Sequence, residues 1–231
     1  MKVKLTVERV KERVAKFCKK IVESDLIIGT WGNISRYLPD EQQVVITPSG
    51  VEYDEIKPRM LVVVDMKGNL LEGDLEPSSE LKMHLATYAA RPELRAVMHT
   101  HSPYASALAV SGTPIPPIME DMAAVIGGEV PVAEYALAGS EALAQNTVKA
   151  MGNRNAVLLA NHGVVGVGVC LAEAMNVCLM VERCAKVYFM AKQVGTPRGL
   201  SAEDVLTIRN FYLKKYGQAC EKANKYLKDR Y

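Results

Sequence analysis

No stretch of the chain strings together the roughly 18 apolar residues that a membrane-spanning helix needs, so no membrane span is expected. Neither sign of charge dominates. Lys and Arg number 28 and Asp and Glu 26, a formal net charge of +2, which gives no electrostatic case for nucleic acid. The first residues, MKVKLTVERVKERVAKF, lack the apolar stretch and cleavage site of a signal peptide. The five cysteines (Cys18, Cys170, Cys178, Cys184, Cys220) form no Cys-x-x-Cys pair. Their apolar neighbours suggest reduced, buried thiols in a cytoplasmic protein, with no metal role. No repeat, linker or low-complexity segment divides the sequence. What is present is ordinary for a globular protein with a sizeable core: 231 residues, 49% apolar and 23% charged. One domain over residues 1–231 is the expectation.

Histidine is scarce too, with only His84, His99, His101 and His162. Two of the four form His99-Thr100-His101. In an extended strand, side chains at i and i+2 point to one face, so the two imidazoles can take adjacent corners of a tetrahedral metal site. A surface strand can also carry such a pair with no metal. His162, in Ala160-Asn161-His162-Gly163 between two apolar runs, offers the third ligand. The resulting expectation is a three-histidine zinc site with an open fourth position. His84 falls one turn after Glu80 on a helix-like run and reads as a packing residue or a support behind the ligands.

Three other stretches suit an anion. Gly29-Thr30-Trp31-Gly32-Asn33 is a glycine-rich turn in which Thr30 and Asn33 can donate hydrogen bonds. Thr47-Pro48-Ser49-Gly50 is a tight turn after a strand at residues 43–47. Pro77-Ser78-Ser79-Glu80 opens a helix reaching about residue 90, with serine as cap and hydroxyls at its N-terminus. Each alone is also a plain turn or cap. Trp31, the only tryptophan, reads as a packing residue. Helices are expected at 6–24, where Val7, Val10, Val14, Phe17 and Ile21 make one apolar stripe, and at 103–110, 119–126, 140–151, 171–193 and 201–217. Strands are expected at 60–65, 94–99, 130–135, 156–160 and 163–169. The tail to residue 231 is basic and helical in pattern. Glu120 and Asp121 stand in an otherwise apolar run, where plain surface exposure is the default.

Taken in order, Gly-Thr-Trp-Gly-Asn, Thr-Pro-Ser-Gly, Pro-Ser-Ser-Glu, His-Thr-His, Asn-His-Gly and a C-terminal Tyr216-Gly217 resemble the class II aldolase/adducin family. The resemblance runs from about residue 6 to 217. It implies a single three-layer α/β/α domain around a mixed, mostly antiparallel sheet, and a homotetramer with sites between subunits. It implies a zinc-dependent aldolase that cleaves a ketose 1-phosphate, such as L-fuculose 1-phosphate, to dihydroxyacetone phosphate and an aldehyde through a metal-bound enediolate. His99, His101 and His162 then correspond to ligands of Zn²⁺, with Mn²⁺ or Co²⁺ as other occupants of such a site. Glu80 corresponds to the carboxylate that can bind zinc at rest and then acts as acid and base. Thr30, Asn33, Ser49, Gly50, Ser78 and Ser79 fall where the substrate phosphate is held. Tyr216 matches a proton-donating tyrosine from a neighbouring subunit. Where the aldolase carries a second catalytic tyrosine, this chain has Met119-Glu120-Asp121-Met122, so Asp121 or Glu120 becomes a candidate acid/base. Related pentulose-phosphate epimerases, sugar-phosphate dehydratases and sugar-acid phosphate decarboxylases share the fold and remain alternatives, as does a non-catalytic adducin-like module.

Overall fold

The computed structural model describes residues 6–216. Helix α1 (Val7–Glu23) starts where the Thr6 hydroxyl accepts the Arg9 N–H at 3.4 Å, a side-chain N-cap. Its residues Val10, Val14, Cys18 and Ile21 recur at steps of three and four and are fully buried. Strands β1 (Asn33–Leu38), β2 (Gln43–Ile46), β3 (Val62–Asp65) and β4 (Leu70–Glu72) follow as an antiparallel run. Then come α2 (Leu81–Ala90), β5 (Ala96–Thr100), α3 (Pro103–Val110), α4 (Glu120–Ile126), β6 (Val132–Ala133) and α5 (Glu141–Met151). The described chain ends with β7 (Ala156–Leu159), β8 (Gly163–Gly168), α6 (Leu171–Val194) and α7 (Ala202–Tyr216).

All strands join one 8-stranded sheet in the order β4-β3-β2-β1-β5-β8-β7-β6. Among the described residues only β6 and β7 pair parallel. This is the mixed, mostly antiparallel sheet expected. Both faces are covered. Val45 packs with α1 and α6 residues such as Val14 and Cys178. Its neighbours Val44 and Ile46 pack with Met83 of α2 and Leu143 of α5. Helices α3 and α4 extend the first layer over β7 and β8 through Ala105, Met122 and Leu158. Helix α7 lies on α4, where the Arg209 guanidinium donates to the Ala124 and Val125 carbonyls at 2.5 and 2.9 Å. No helix among the described residues is long and apolar enough to cross a membrane.

Several sequence expectations are corrected. The central strand β1 was read only as the turn leading into it; being covered on both faces, it shows no polar alternation. The 130–135 strand shrinks to β6, and Val130 instead bridges Ile115. Helix α2 starts later than its serines. Glu80 is its N-cap, without a side-chain cap, and the Ser78 hydroxyl accepts the Glu80 N–H at 3.3 Å in the preceding turn. Trp31 is exposed instead of packed. Cys18, Cys178 and Cys184 are buried free thiols, each pushed up to about 12 by burial. They are therefore unreactive at neutral pH. Cys170, by contrast, is disulfide-bonded. Cys220 and the basic tail lie outside the described residues.

Candidate metal centre

The antiparallel pairing brings the start of β1, the ends of β2 and β5 and the start of β8 to one end of the sheet. Asn33 pairs with His99, Ser35 with Ile46, and Thr100 with Val164. His99 is fully buried at the end of β5, and His101 follows as the strand turns off, its N–H donating to the Leu26 carbonyl at 3.1 Å. His162 sits in the three-residue turn between β7 and β8. Asn161 there has φ 56°, a left-handed conformation that Asn accepts more readily than most side chains. Gly163 closes the turn against the site. A Cβ on it would lie 2.4 Å from the Thr100 carbonyl oxygen and 3.2 Å from His99 Cε1. Gly32 has the same constraint on the other side: φ is 124°, and a Cβ would lie 2.8 Å from the His99 carbonyl oxygen.

The three histidines offer ring nitrogens within 4.8 Å of one another. His99 Nδ1 is 2.9 Å from the Val164 carbonyl, which can only accept, so Nδ1 carries the proton and Nε2 keeps a bare lone pair when the ring is neutral. That lone pair faces His101 Nε2 at 2.8 Å and Glu80 Oε2 at 3.2 Å. Glu80 Oε1 lies 3.6 Å from His162 Nε2 and is buried with no hydrogen-bond partner. The His99 lone pair thus faces a carboxylate oxygen, acceptor against acceptor, and a cation between them would satisfy both. The donor set fits a divalent metal: three imidazoles and an adjacent carboxylate, with Trp31 6.1 Å from His101 at the open side. Burial, then His99 and His162, push His101 down from 6.5 to about 3. His162 is lowered by burial and then by His99. Both stay neutral at physiological pH, the form that ligates metal. Burial is the largest influence on Glu80 and raises it. His99, His162, the Asn33 amide and His84 together outweigh burial, so the carboxyl sits below its ordinary range.

The anion-type turns meet beside this cluster. Pro48 and Pro77 pair as an antiparallel bridge. The Ser49 N–H donates to the Glu76 carbonyl at 3.0 Å and the Ser78 N–H to Thr47 at 3.1 Å. Ser49, Gly50, Ser78 and Ser79 are therefore side by side. Thr47 ties them to β1: its hydroxyl accepts the Ile34 N–H at 3.1 Å. Thr30 lies in the turn that leads into Asn33. The Asn33 side chain is engaged elsewhere than expected. It is buried, its Nδ2 donating to Glu80 Oε2 at 2.8 Å and its Oδ1 facing His84 Nε2 at 2.5 Å. Ser35 and Tyr88 continue that chain of contacts. Gly139 was missed in the sequence: its backbone comes so close that a Cβ would be 2.6 Å from the Ser79 carbonyl.

The acid/base candidates Glu120 and Asp121 are both exposed in the first turn of α4. Burial raises the Cys184 thiol of α6, and the Asp121 charge adds to that in the same direction. Tyr216 is the last residue of α7, its side chain outside what is described. Three residues earlier, Leu213 lines a cavity with Arg91 and Gly168, at the end of β8 opposite Gly163.

Comparison with known proteins gives the family. Residues 12–189 match the class II aldolase and adducin N-terminal domain. The chain belongs to the class II aldolase/adducin family. It is 36% identical to a 5-deoxy-D-ribulose 1-phosphate aldolase of Bacillus thuringiensis serovar kurstaki, over 93% of this chain and 100% of that one. It is 33% identical to an L-fuculose phosphate aldolase of Escherichia coli O157:H7, over 88% and 94%. A solved structure of an L-fuculose 1-phosphate aldolase superposes with TM-score 0.86 at 44% identity, covering 88% of this chain and 95% of that one. The class II aldolase assignment makes the chain an enzyme of the lyase class and its fold the one seen in those neighbours.

Proposed function

We propose that this class II aldolase uses a divalent metal, zinc in the first instance, to cleave a terminally deoxygenated ketose 1-phosphate. The products are dihydroxyacetone phosphate and a short aldehyde. The observation that carries the reading is the unpartnered Glu80 Oε1 among three converging imidazoles. Relatives named for 5-deoxyribulose 1-phosphate and fuculose phosphate support the substrate class, since both sugars end in a methyl group. Retro-aldol cleavage of the first releases acetaldehyde, and of the second lactaldehyde.

His99, His101 and His162 would hold the metal through ring nitrogens, and the metal would supply Lewis-acid polarisation of the substrate carbonyl. Glu80, beside them, returns a proton to the carbon left by bond cleavage. Thr30, Ser49, Gly50, Ser78 and Ser79 cradle the phosphate through hydroxyls and backbone N–H groups, with Asn33 at the border between phosphate and Glu80. Asp121 and Tyr216 take part from a neighbouring copy, in a homotetramer with shared sites. The placement of α7 at the other end of the sheet supports that reading, because Tyr216 would reach the cluster from a second subunit. A cytoplasmic location rests on the three buried free thiols, while the Cys170 disulfide weighs against a reducing compartment.

A coupled assay for dihydroxyacetone phosphate, on metal-replete protein with a panel of ketose 1-phosphates, tests the proposal. Release from 5-deoxyribulose or fuculose 1-phosphate supports it, and the relative rates name the aldehyde. No release from any sugar defeats it. Asp121, a carboxylate at the position of a tyrosine, favours a second reading as epimerase or dehydratase. Product analysis separates that reading, since epimerisation keeps all carbons together.

A further inference from the structure

Behind Glu80 runs a line of buried polar groups whose hydrogen-bond directions are fixed by chemistry. Glu80 Oε2 accepts from Asn33 Nδ2 at 2.8 Å. An asparagine amide that donates through Nδ2 presents Oδ1 on its other arm, and Oδ1 can only accept. His84 Nε2, 2.5 Å away, must then carry a proton. His84 Nδ1 lies 2.6 Å from the Ser35 hydroxyl, and Ser35 lies 2.7 Å from the Tyr88 hydroxyl. With Nδ1 as acceptor, Ser35 donates to His84 and Tyr88 donates to Ser35. His84 is fully buried, and burial pushes it down to about 3, which is consistent with a neutral ring. The direction at Asn33 does not depend on this, because a charged ring would also donate from Nε2.

The alternative direction has a definite cost. If Asn33 were turned over, its Oδ1 would face a carboxylate oxygen, acceptor against acceptor, in a site closed to water. The donor from His84 prevents that turn. Glu80 Oε2 is thereby anchored, and Oε1, which has no partner, is left on the side of His162.

We propose that His84 is a positioning residue: by donating from Nε2 to Asn33 it locks the amide that clamps Glu80 Oε2, and so leaves Oε1 as the oxygen aimed at the reacting atoms. The clamp rests on the reading of Glu80 as the acid/base group. It adds that the orientation of this carboxylate is set from β1 and α2 through a residue that touches neither metal nor substrate.

The test pairs activity with a direct view of the proton. In protein labelled with ¹⁵N-histidine, four rings give signals, and His84→Gln identifies the one from position 84. A protonated Nε2 is expected; an unprotonated Nε2 overturns the clamp whatever the enzyme turns over. In the metal-loaded enzyme, His84→Leu should slow solvent proton exchange into dihydroxyacetone phosphate by about 10- to 100-fold, the scale of a misplacement near 1 Å. Metal per subunit and KM should stay within about twofold of wild type, as expected when only transition-state positioning is lost. His84→Gln, which keeps an amide donor towards Asn33, should recover most of the exchange. Equal losses in the Leu and Gln variants, or a loss that follows metal content or melting temperature, would reduce His84 to a packing residue. If the wild-type enzyme exchanges no proton and cleaves no sugar, the aldolase reading fails separately, and the ¹⁵N measurement still decides the clamp.

Discussion

His84 and His99 are both fully buried histidines, on neighbouring elements that share Asn33 and Glu80 as intermediaries. Burial does not distinguish them. Completion does. Both nitrogens of His84 meet groups that complement them, an amide oxygen on one side and a hydroxyl on the other. His99 has one nitrogen satisfied by the Val164 carbonyl, while the other faces a carboxylate oxygen and a second imidazole. A closed polar network stabilises and orients; an open one, with acceptors turned toward each other, is waiting for a cation or a proton. The difference separates the part of the polar interior that holds the site from the part that performs in it.

The comparison breaks most sharply at the open histidine. His99→Ala should reduce metal content, measured by elemental analysis, to background. The loss in metal affinity should exceed the roughly 10- to 100-fold seen when a residue behind a ligand is removed. Retained metal would return the cluster to a mere histidine contact. Glu80→Gln comes next. It keeps the shape and a polar contact with Asn33 but removes the transferable proton. Metal should be retained and exchange into dihydroxyacetone phosphate should fall about 10²–10⁴-fold, the usual worth of a general acid or base. Exchange at the wild-type rate would take Glu80 out of that role.

How much of this was written in the sequence depends on the range of the physics involved. Helices α1 and α5 were legible because their signals are local: Thr6 and Ser140 cap the N–H groups of Arg9 and Leu143, three residues on in each case. The His99, His101 and His162 cluster was legible because strand alternation and a turn residue suffice to converge three imidazoles. Strand β1 was not, since a strand buried on both faces lacks the alternation that marks a half-exposed one. Ser35 could not be seen as part of the site at all. Its partners His84 and Tyr88 are 49 and 53 residues away in sequence, and only the strand order puts them together. The clamp that Asn33 makes was hidden for the same reason: its neighbours Glu80 and His84 come from the N-cap and first turns of α2, and a glycine-rich turn read alone offers the amide only to a ligand.

The closed histidine gives a smaller effect, visible in stability. The His84 ring is held down from 6.5 to about 3 by burial. An unfolded chain therefore takes up this proton first as the pH falls. Above about pH 6.5 the residue makes no pH-dependent difference. Between about 6.5 and 3 it lowers stability on acidification, by at most about 1.4 kcal/mol per pH unit. His84→Gln should flatten the plot of unfolding free energy against pH by one proton in that window. An unchanged slope would mean that His84 is charged or hydrated in the folded protein.

Asp121→Asn carries the smallest expected effect within one chain and the sharpest information about a second copy. Asp121 is exposed in the first turn of α4, where its charge adds to the raising of the Cys184 thiol by burial. If it is a surface charge, the substitution should change stability by less than about 0.5 kcal/mol and leave kcat unaltered. A fall in kcat at constant metal content would require the carboxylate to approach a metal site that its own fold does not bring it to, and hence a neighbouring subunit that does. Mixing Asp121→Asn with His99→Ala protein would then decide between the two. Each inactive partner supplies what the other lacks, so activity should reappear on mixing if the sites are shared and stay absent if each chain works alone.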